Sequence, residues 1–249
     1  MCLLVFAYRQ LPDVPLFLAA NREESPARPS IPPDLVREAD GVCWFGGRDG
    51  LAGGTWLGVN RTGLVVGITN RSAPPVPPDA RSRGLLCREL LKRGSFSTAV
   101  AELDRQFQRP VYAGFNLLLA SWDGALVVEH GIETRRRELT AGLHVLTNAG
   151  LNDAGDSRGE RAAREFRAGV ESDPSLPSLL SVAKQICRST ELAPQTGRDG
   201  RVSGTVSASI IALPADPAAA EYHYAPGPPR QTEFESHSAA FQGMMRDER

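Results

Sequence analysis

Lysine is almost absent from this chain of 249 residues, which has only Lys92 and Lys184 among its 28 basic residues. A mechanism that depends on a lysine therefore has few candidates. The 28 basic residues are balanced by 29 acidic ones, so the formal charge is −1. Recognition of nucleic acid normally needs a basic surplus on the protein. The charge balance therefore predicts no nucleic-acid partner.

Long hydrophobic runs are also missing. The longest clean run, residues 2–7, is far shorter than the roughly 20 residues that span a bilayer. A secretory signal is not predicted, because Arg9, Pro12 and Asp13 follow this run at once. We therefore expect a cytoplasmic protein with no integral membrane segment. The 41% of hydrophobic residues predicts one domain over residues 1–249, with a final dozen residues that fray.

Cysteine pairs with the spacing of metal ligands are absent. The four cysteines stand at positions 2, 43, 87 and 187, and no two of them form a Cys-x-x-Cys pair. This scatter does not fit a zinc site or a thioredoxin-like centre, so all four are predicted to be free thiols. The four histidines have no ligand-like spacing either. We expect no metal and no resident cofactor.

Apolar periodicity predicts strands and helices in alternating groups. Short apolar runs bounded by turn residues predict strands over 2–8, 16–20, 43–47, 55–59, 64–69, 115–121, 125–130, 143–146, 206–213 and 221–224. Helical spacing predicts helices near 81–93, 97–108, 158–170 and 176–188. Irregular loops are expected over 25–40 and at Arg135, Arg136 and Arg137. Grouped hairpins followed by grouped helices favour an α+β fold of two stacked antiparallel sheets with helices outside.

The residue after the initiator methionine is the first candidate for chemistry. Methionine before a residue as small as cysteine is normally removed, so the mature chain can begin with Cys2. An α-amino group has a pKa of about 7.7 to 8.0 and a thiol about 8.5, so the neutral amine can take the thiol proton without a histidine. The alternative is that Cys2 is only a small apolar residue at the start of a buried strand.

Polar residues directly follow the second predicted strand, as Asn21-Arg22-Glu23-Glu24. In a hairpin the end of the second strand lies beside the start of the first, so this segment is expected next to Cys2. A carboxylate there can hold the terminal ammonium, and Arg22 can bind a substrate carboxylate or brace the site. The alternative is that the four residues cap a strand and lead into solvent.

Two further strands end in the same pair of residues, Thr69-Asn70 and Thr147-Asn148. A carboxamide at a strand end can donate to an oxyanion, and the loss of one such donor costs about 2.7 to 4 kcal/mol of transition-state stabilisation. Asparagine is also common in turns, so each residue taken alone fits an ordinary turn.

Taken together, these segments resemble the transport-and-Golgi-organisation-2 family, also called the NRDE family. The resemblance spans most of the chain, and its most specific part is Gly53-Gly54-Thr55-Trp56-Leu57-Gly58-Val59-Asn60. The chain departs from the family pattern at Glu23, where the family has aspartate, and at Val206, where the family has arginine before a late strand.

The resemblance implies a fold and a set of roles. Such proteins resemble N-terminal-nucleophile hydrolases of the cholylglycine hydrolase and penicillin V acylase type, with a four-layer αββα sandwich. It implies that Cys2 is the nucleophile, that Asn21 and Glu23 belong to the segment that orients its amine, that Asn70 is the oxyanion donor and that Asn148 positions Cys2. We add Arg22 and Trp56 as predicted substrate-binding residues.

Two functions follow from the resemblance. The first is a cysteine amidohydrolase or acyltransferase that acts on a small N-acyl or thioester compound. The alternative is a non-catalytic binding or trafficking protein that uses the same cleft for haem or for acyl-CoA or another lipid. In that case haem is a transported ligand and not a cofactor.

Overall fold

The computed structural model describes residues 2–74, 77, 79–108, 111–197, 200 and 202–246. The strands in these residues, β1 to β14 in chain order, are Leu3–Tyr8, Leu16–Glu24, Ser30–Arg37, Cys43–Asp49, Leu57–Asn60, Val65–Asn70, Phe115–Ala120, Ala125–His130, Thr134–Glu138, Gly142–Leu146, Gln195–Thr196, Val202–Leu213, Glu221–Ala225 and Glu235–Ser236. The helices, α1 to α5, are Arg83–Leu91, Phe96–Phe107, Ser157–Ser172, Leu176–Ser189 and Ser238–Arg246.

The strands form two antiparallel sheets. The first has the order β10-β1-β2-β12-β13-β14, with β11 paired to β12, and the second runs from β3 to β9 in chain order. Chain neighbours pair throughout the second sheet: most are connected by short turns or loops, and β6 is connected to β7 by the segment that contains α1 and α2. In the first sheet β1 lies between β10 and β2, and β2 lies between β1 and β12, so the start of the chain has a paired neighbour on each side.

Three apolar layers hold the sheets and helices together. Leu4, Phe6 and Phe45 belong to the core between the two sheets. A second core packs the outer face of the first sheet against α3 and α4, and a third packs the second sheet against α1 and α2. Strands buried on both faces are apolar throughout, which is why their runs show no alternation. The predicted fold, a four-layer αββα sandwich of two stacked antiparallel sheets, is confirmed.

The loop predicted over residues 25–40 is wrong, because Ser30–Arg37 forms the edge strand β3. Pro32 and Pro33 made this segment look irregular, but they fall where the register with β4 shifts, between Ile31 and Asp34. Proline lacks the N–H that a central strand must donate, so it is tolerated at edges and irregular positions of this kind.

The three consecutive arginines also lie in a strand, and the predicted loop at Arg135, Arg136 and Arg137 is wrong. They belong to β9, which pairs with β8 at the opposite edge of the second sheet. All five residues of β9 are exposed, so no apolar pattern marks it in the sequence. Charged side chains on an edge strand oppose pairing with another chain.

The final dozen residues do not fray as predicted, at least over Ser238–Arg246, which forms α5. Phe241 and Met244 are buried in the core between the sheets, and the Phe241 ring contacts Phe45 and Tyr222. This burial anchors the helix at the end of the described chain. Residues 247–249, also part of that prediction, lie outside the described residues.

None of the helices in the described ranges is both long and apolar enough to cross a membrane.

A close backbone approach fixes α1 against the second sheet. A Cβ on Gly54 would lie 2.5 Å from the Gly84 carbonyl oxygen, and Thr55 N donates to that same oxygen at 3.0 Å. Gly54 therefore has no room for a side chain, which gives a physical reason for glycine in the most specific segment of the sequence. The contact sets where the first turn of α1 lies.

We expect Gly54→Ala to lower the free energy of unfolding by about 1–3 kcal/mol, because the clash is with backbone that must shift. The measurement is urea denaturation followed by circular dichroism. Gly94→Ala is the matched control, since a Cβ there meets nothing within 4 Å. Equal stability of the two variants would contradict the close approach.

Candidate active site

Cys2 lies at the start of β1 and faces the gap between the two sheets. Side chains alternate along a strand, and Leu4, two residues on, belongs to the core between the sheets, whereas Leu3 packs on the helix side. The Cys2 side chain is 9% exposed. Its Sγ donates to the backbone oxygen of Glu23 at 3.9 Å. This contact ties the thiol to the end of β2.

Side chains also alternate along β2, so the polar residues at its end point to opposite faces of the sheet. Leu3 is opposite Asn21 in the hairpin register, so the end of β2 lies beside Cys2 as the sequence predicts. Arg22 shares the inter-sheet side with Cys2. Asn21 and Glu23 project to the other side, toward α3 and α4.

Asn21 is fully buried and is held by the C-terminal end of α4. Its Nδ2 donates to the Cys187 carbonyl at 2.9 Å and to Thr190 Oγ1 at 3.1 Å. Its Oδ1 is buried and accepts no hydrogen bond from the described residues. An unpaired buried acceptor costs about 1–3 kcal/mol. The two hydrogen bonds of Nδ2 hold the end of β2 against α4. Oδ1 remains as an acceptor without a described partner beside the start of β1.

Glu23 forms a buried ion pair with an arginine of α3. Arg158 donates to both carboxylate oxygens, at 3.2 Å to Oε2 and by a short contact to Oε1. Thr205 of β12 also donates to Oε1, at 3.4 Å. Arg158 is itself held by the Thr190 carbonyl at 2.8 Å. The carboxylate is thus fixed in place directly behind the start of β1.

Arg22 is almost fully buried and stacks on Trp56. Its guanidinium carbon lies 4.0 Å from the centre of the Trp56 ring, well within the range of a cation–π contact. Among the described residues the guanidinium makes no hydrogen bond and no ion pair. Two residues that the sequence predicts for substrate binding are therefore in direct contact.

The two Thr-Asn strand ends meet each other across the two sheets. Thr69 Oγ1 donates to the Thr147 carbonyl at 3.2 Å, and Asn148 Nδ2 donates to the Asn70 carbonyl. Leu146 pairs with Leu4, so β10 runs toward the Cys2 end of β1. The Asn70 carboxamide is exposed and makes no hydrogen bond within the described residues. Asn148 Oδ1 is buried without a partner there.

A polar network that the sequence does not reveal fixes this meeting point. Asn116 of β7 donates to the Thr147 carbonyl at 2.7 Å and accepts from Arg71 at 3.1 Å. Arg71 also contacts Glu129 at 3.4 Å and the Ala149 carbonyl at 2.8 Å. A buried network of this kind is stable only when its members are satisfied together. It holds the ends of β6 and β10 in one arrangement.

These elements enclose a cleft of about 1050 Å³ at the end of the sandwich. Of the predicted site residues, the cleft is lined by Cys2, Arg22, Glu23, Trp56 and Asn70. Asn21 and Asn148 do not line it. Asn21 is connected to the cleft through its neighbour Arg22 in β2. Asn148 is connected to it through the hydrogen bond to the Asn70 carbonyl. The described part of the cleft wall also contains the first turn of α1.

Burial dominates the electrostatics of the buried titratable groups. It raises the pKa of the Cys2 thiol above its usual value, and the nearby charge of Glu23 acts in the same direction. Burial likewise raises the pKa of Glu23, although Arg158 opposes this. For Arg22, burial lowers the pKa, but a guanidinium remains charged near pH 7. The Cys2 thiol in this environment is mostly protonated at neutral pH.

The prediction of free cysteines is confirmed, since Cys2, Cys43, Cys87 and Cys187 are all unpaired and buried. Within the described residues, no cluster of three or more His, Cys, Asp or Glu side chains could hold a metal ion.

Val206 lies at an irregularity of β12. The register with β2 shifts between Thr205, opposite Glu23, and Ser207, opposite Arg22. A bulge re-aims the side chains that follow it and is frequent beside active sites. Sequence reasoning missed Arg83, which lines the cleft, and Arg158, which pairs with Glu23 from the helix side. Nothing in their local sequence distinguishes them from the many other arginines of the chain.

Solved structures with this arrangement define its class. A mutant of conjugated bile acid hydrolase from Clostridium perfringens superposes with a TM-score of 0.59 at 13% identity, over 96% of this chain and 93% of that one. The Caenorhabditis elegans orthologue of N-acylethanolamine-hydrolyzing acid amidase gives a TM-score of 0.54 at 14% identity, over 86% and 94%. The chain therefore has the fold of N-terminal-nucleophile hydrolases.

The family is narrower than the fold. The model of the Transport and Golgi organisation 2 family matches residues 1–216, and the chain belongs to that family. The mouse homologue of Transport and Golgi organization 2 is 32% identical over 159 residues, which are 60% of this chain and 57% of that protein. The human homologue is 31% identical over the same shares. The match thus spans little more than half the length of these relatives.

Proposed function

We propose that this chain is an N-terminal-cysteine amidohydrolase or acyltransferase that acts on a small N-acyl or thioester compound. The observation that carries the proposal is the position of the Cys2 thiol, at the wall of the large cleft and at the second residue of the chain. Two of the solved structures with this fold are, by their descriptions, hydrolases of conjugated bile acids and of N-acylethanolamines.

The proposed reaction begins with the removal of Met1, which lies outside the described residues. The new α-amine of Cys2 then takes the thiol proton, and Sγ attacks the carbonyl carbon of the acyl group. The carbonyl oxygen becomes an oxyanion. Asn70 is the proposed donor to it, because its carboxamide is exposed and makes no hydrogen bond within the described residues.

Collapse of this intermediate breaks the bond to the leaving amine or thiol. The ammonium of Cys2 returns the proton to the leaving group, and a thioester on Cys2 remains. Water then attacks the thioester in a hydrolase, whereas a second acceptor attacks it in an acyltransferase; in both cases the bond between the acyl carbon and Sγ breaks, the acyl product leaves, and the proton of the attacking group regenerates the Cys2 thiol. Glu23, fixed by Arg158, is the proposed anchor for the ammonium. The acceptor on Asn148 that has no described partner is available to position the start of the chain.

Mass spectrometry of the native protein tests the proposal. We expect the intact mass to lack Met1, and we expect mixing with a panel of N-acyl amides and acyl thioesters to add one acyl group to the peptide that begins with Cys2. Retention of Met1 would remove the proposed base and contradict the mechanism. A free Cys2 amine with no acyl adduct from any compound would contradict turnover.

A second candidate function is binding without turnover, in which the same cleft carries haem or an acyl-CoA or other lipid. The raised pKa of Cys2 favours it, because a mostly protonated thiol is a weak nucleophile. Carriage needs only the cleft. Ligand binding that persists in Cys2→Ala, together with a wild-type protein that forms no acyl adduct, would favour this function.

A further inference from the structure

Arg22 is a buried cation that has no counter-ion contact among the described residues. Its side chain is 6% exposed, and among the described residues it has no hydrogen bond and no ion pair. Trp56 covers one face of the guanidinium, so the N–H edge of the group remains for another partner. Burying a charge without a partner is costly. A buried guanidinium of this kind is expected where a bound ligand supplies the negative charge.

A second arginine lies on the wall of the same cleft. Arg83, at the start of α1, donates to the Gly114 carbonyl at 2.8 Å but forms no ion pair with a described carboxylate. It is half-buried. Arg83 and Arg22 line the same cleft as Cys2.

The first turn of α1 adds partial positive charge at this place. Its N-cap residue, Ser82, makes no capping hydrogen bond, and no acidic residue lies in the first turn. Within the described residues, the first N–H groups of the helix therefore have no side-chain acceptor. Ser82, Arg83 and Gly84 all line the cleft. The N-terminus of a helix favours negative charge.

The charges on the cleft wall do not cancel. In the described residues the wall has five arginines and three acidic residues. Arg28 pairs with Asp49 at 2.6 Å, Arg71 with Glu129 at 3.4 Å, and Arg81 with Glu89 at 3.9 Å. Arg22 and Arg83 are the two that remain without an ion-pair partner among the described carboxylates.

We propose that Arg22, Arg83 and the first turn of α1 form a subsite for the anionic group, a carboxylate or a phosphate ester, of the compound whose acyl group reaches Cys2. Both groups match the fork of a guanidinium, which binds such oxygens in pairs. The inference deepens the proposed function and rests on it for the reacting bond, but anion binding itself does not require turnover.

Binding to the Cys2→Ala protein tests the subsite without interference from chemistry. The probes are N-decanoylglycine against its neutral amide, and decyl phosphate against decanol, each measured by isothermal titration calorimetry. We expect at least one anionic probe to bind about 10-fold or more tightly than its neutral partner, and Arg22→Met to remove most of that difference. Preference for the glycine conjugate assigns a carboxylate, and preference for decyl phosphate assigns a phosphate ester.

Arg161→Met is the matched control, because Arg161 is exposed on α3 and does not line the cleft. It removes the same charge and is expected to change binding less than 2-fold. The melting temperature separates binding from structural support. Arg22→Met is expected to match or exceed the melting temperature of the parent protein, since it removes an unpartnered buried charge. A purely structural role for Arg22 would lower it instead.

The proposal is overturned if charged and neutral probes bind equally, or if Arg22→Met leaves the preference for anions unchanged. Its failure is distinguishable from failure of the proposed function. Intact anion binding in a protein that forms no acyl adduct would contradict turnover and retain the subsite. An acyl adduct formed equally from charged and neutral substrates would support turnover and contradict the anion subsite.

Discussion

Cys2→Ala is expected to abolish turnover of N-acyl amides or thioesters, with a loss of about 10³-fold or more in kcat. The proposed reaction passes through a covalent bond to Sγ, and alanine offers no nucleophile, so only background catalysis by the remaining cleft survives. Cys2→Ser is expected to leave little activity, because a hydroxyl is far less ionised than a thiol. The measurement is product release under substrate saturation, with the acyl adduct followed by mass spectrometry.

Cys187→Ala is the matched control for a lost thiol. Cys187 is buried under the helix layer, where burial raises its pKa to about 12, so it is no nucleophile near neutral pH. The variant keeps the backbone carbonyl that holds Asn21. We expect full turnover from it. If Cys2→Ala retained wild-type turnover, Cys2 would be a core residue only, and the covalent mechanism through Sγ would be contradicted.

Arg158→Met is expected to lower the free energy of unfolding by about 3 kcal/mol at pH 8. The change removes the partner of a carboxylate that is 1% exposed, and breaking a buried pair costs about 3–5 kcal/mol because the remaining charge stays buried. Urea denaturation gives this value directly. Turnover is expected to fall as well, since Glu23 loses the contact that fixes it behind Cys2.

The loss should depend on pH in a defined direction. Burial raises the pKa of Glu23 above its ordinary 4.5 even with Arg158 present. An acid with a raised folded pKa binds more protons in the folded state, so the free energy of unfolding falls as pH rises from about 4.5 through the folded pKa. Without Arg158 the folded pKa is higher still. The difference between variant and wild type should therefore be small near pH 4 and largest at pH 8.

The double variant Glu23→Gln with Arg158→Met is the control for this prediction. It removes both charges, so no uncompensated carboxylate remains, and it is expected to recover most of the stability and to lose the pH dependence. A single Arg158→Met variant whose deficit does not change between pH 4 and pH 8 would show that the Glu23 carboxylate does not depend on Arg158.

The order of sheets and helices could be read from the sequence because the central strands are buried on both faces. Runs such as Leu3–Tyr8 and Phe115–Ala120 are apolar throughout, and this local signal does not depend on which strands pair. The edge strands Ser30–Arg37 and Thr134–Glu138 were missed for the same reason. They are exposed and contain proline or arginine, so their strand conformation comes from pairing with a neighbour and not from composition.

In the candidate site, too, local contacts could be predicted from the sequence, whereas long-range contacts could not. The sequence by itself placed Arg22 and Glu23 beside Cys2, because a hairpin brings the start of one strand beside the end of the next. Asn70 was expected at the same site only from the family resemblance, since its strand belongs to the other sheet. Only the tertiary structure decided that Glu23 pairs with Arg158, 135 residues away, and that no described carboxylate forms an ion pair with Arg22. Long-range partners depend on how α1 and α3 pack on the sheets, and an arginine in the sequence gives no local signal of which carboxylate it will contact.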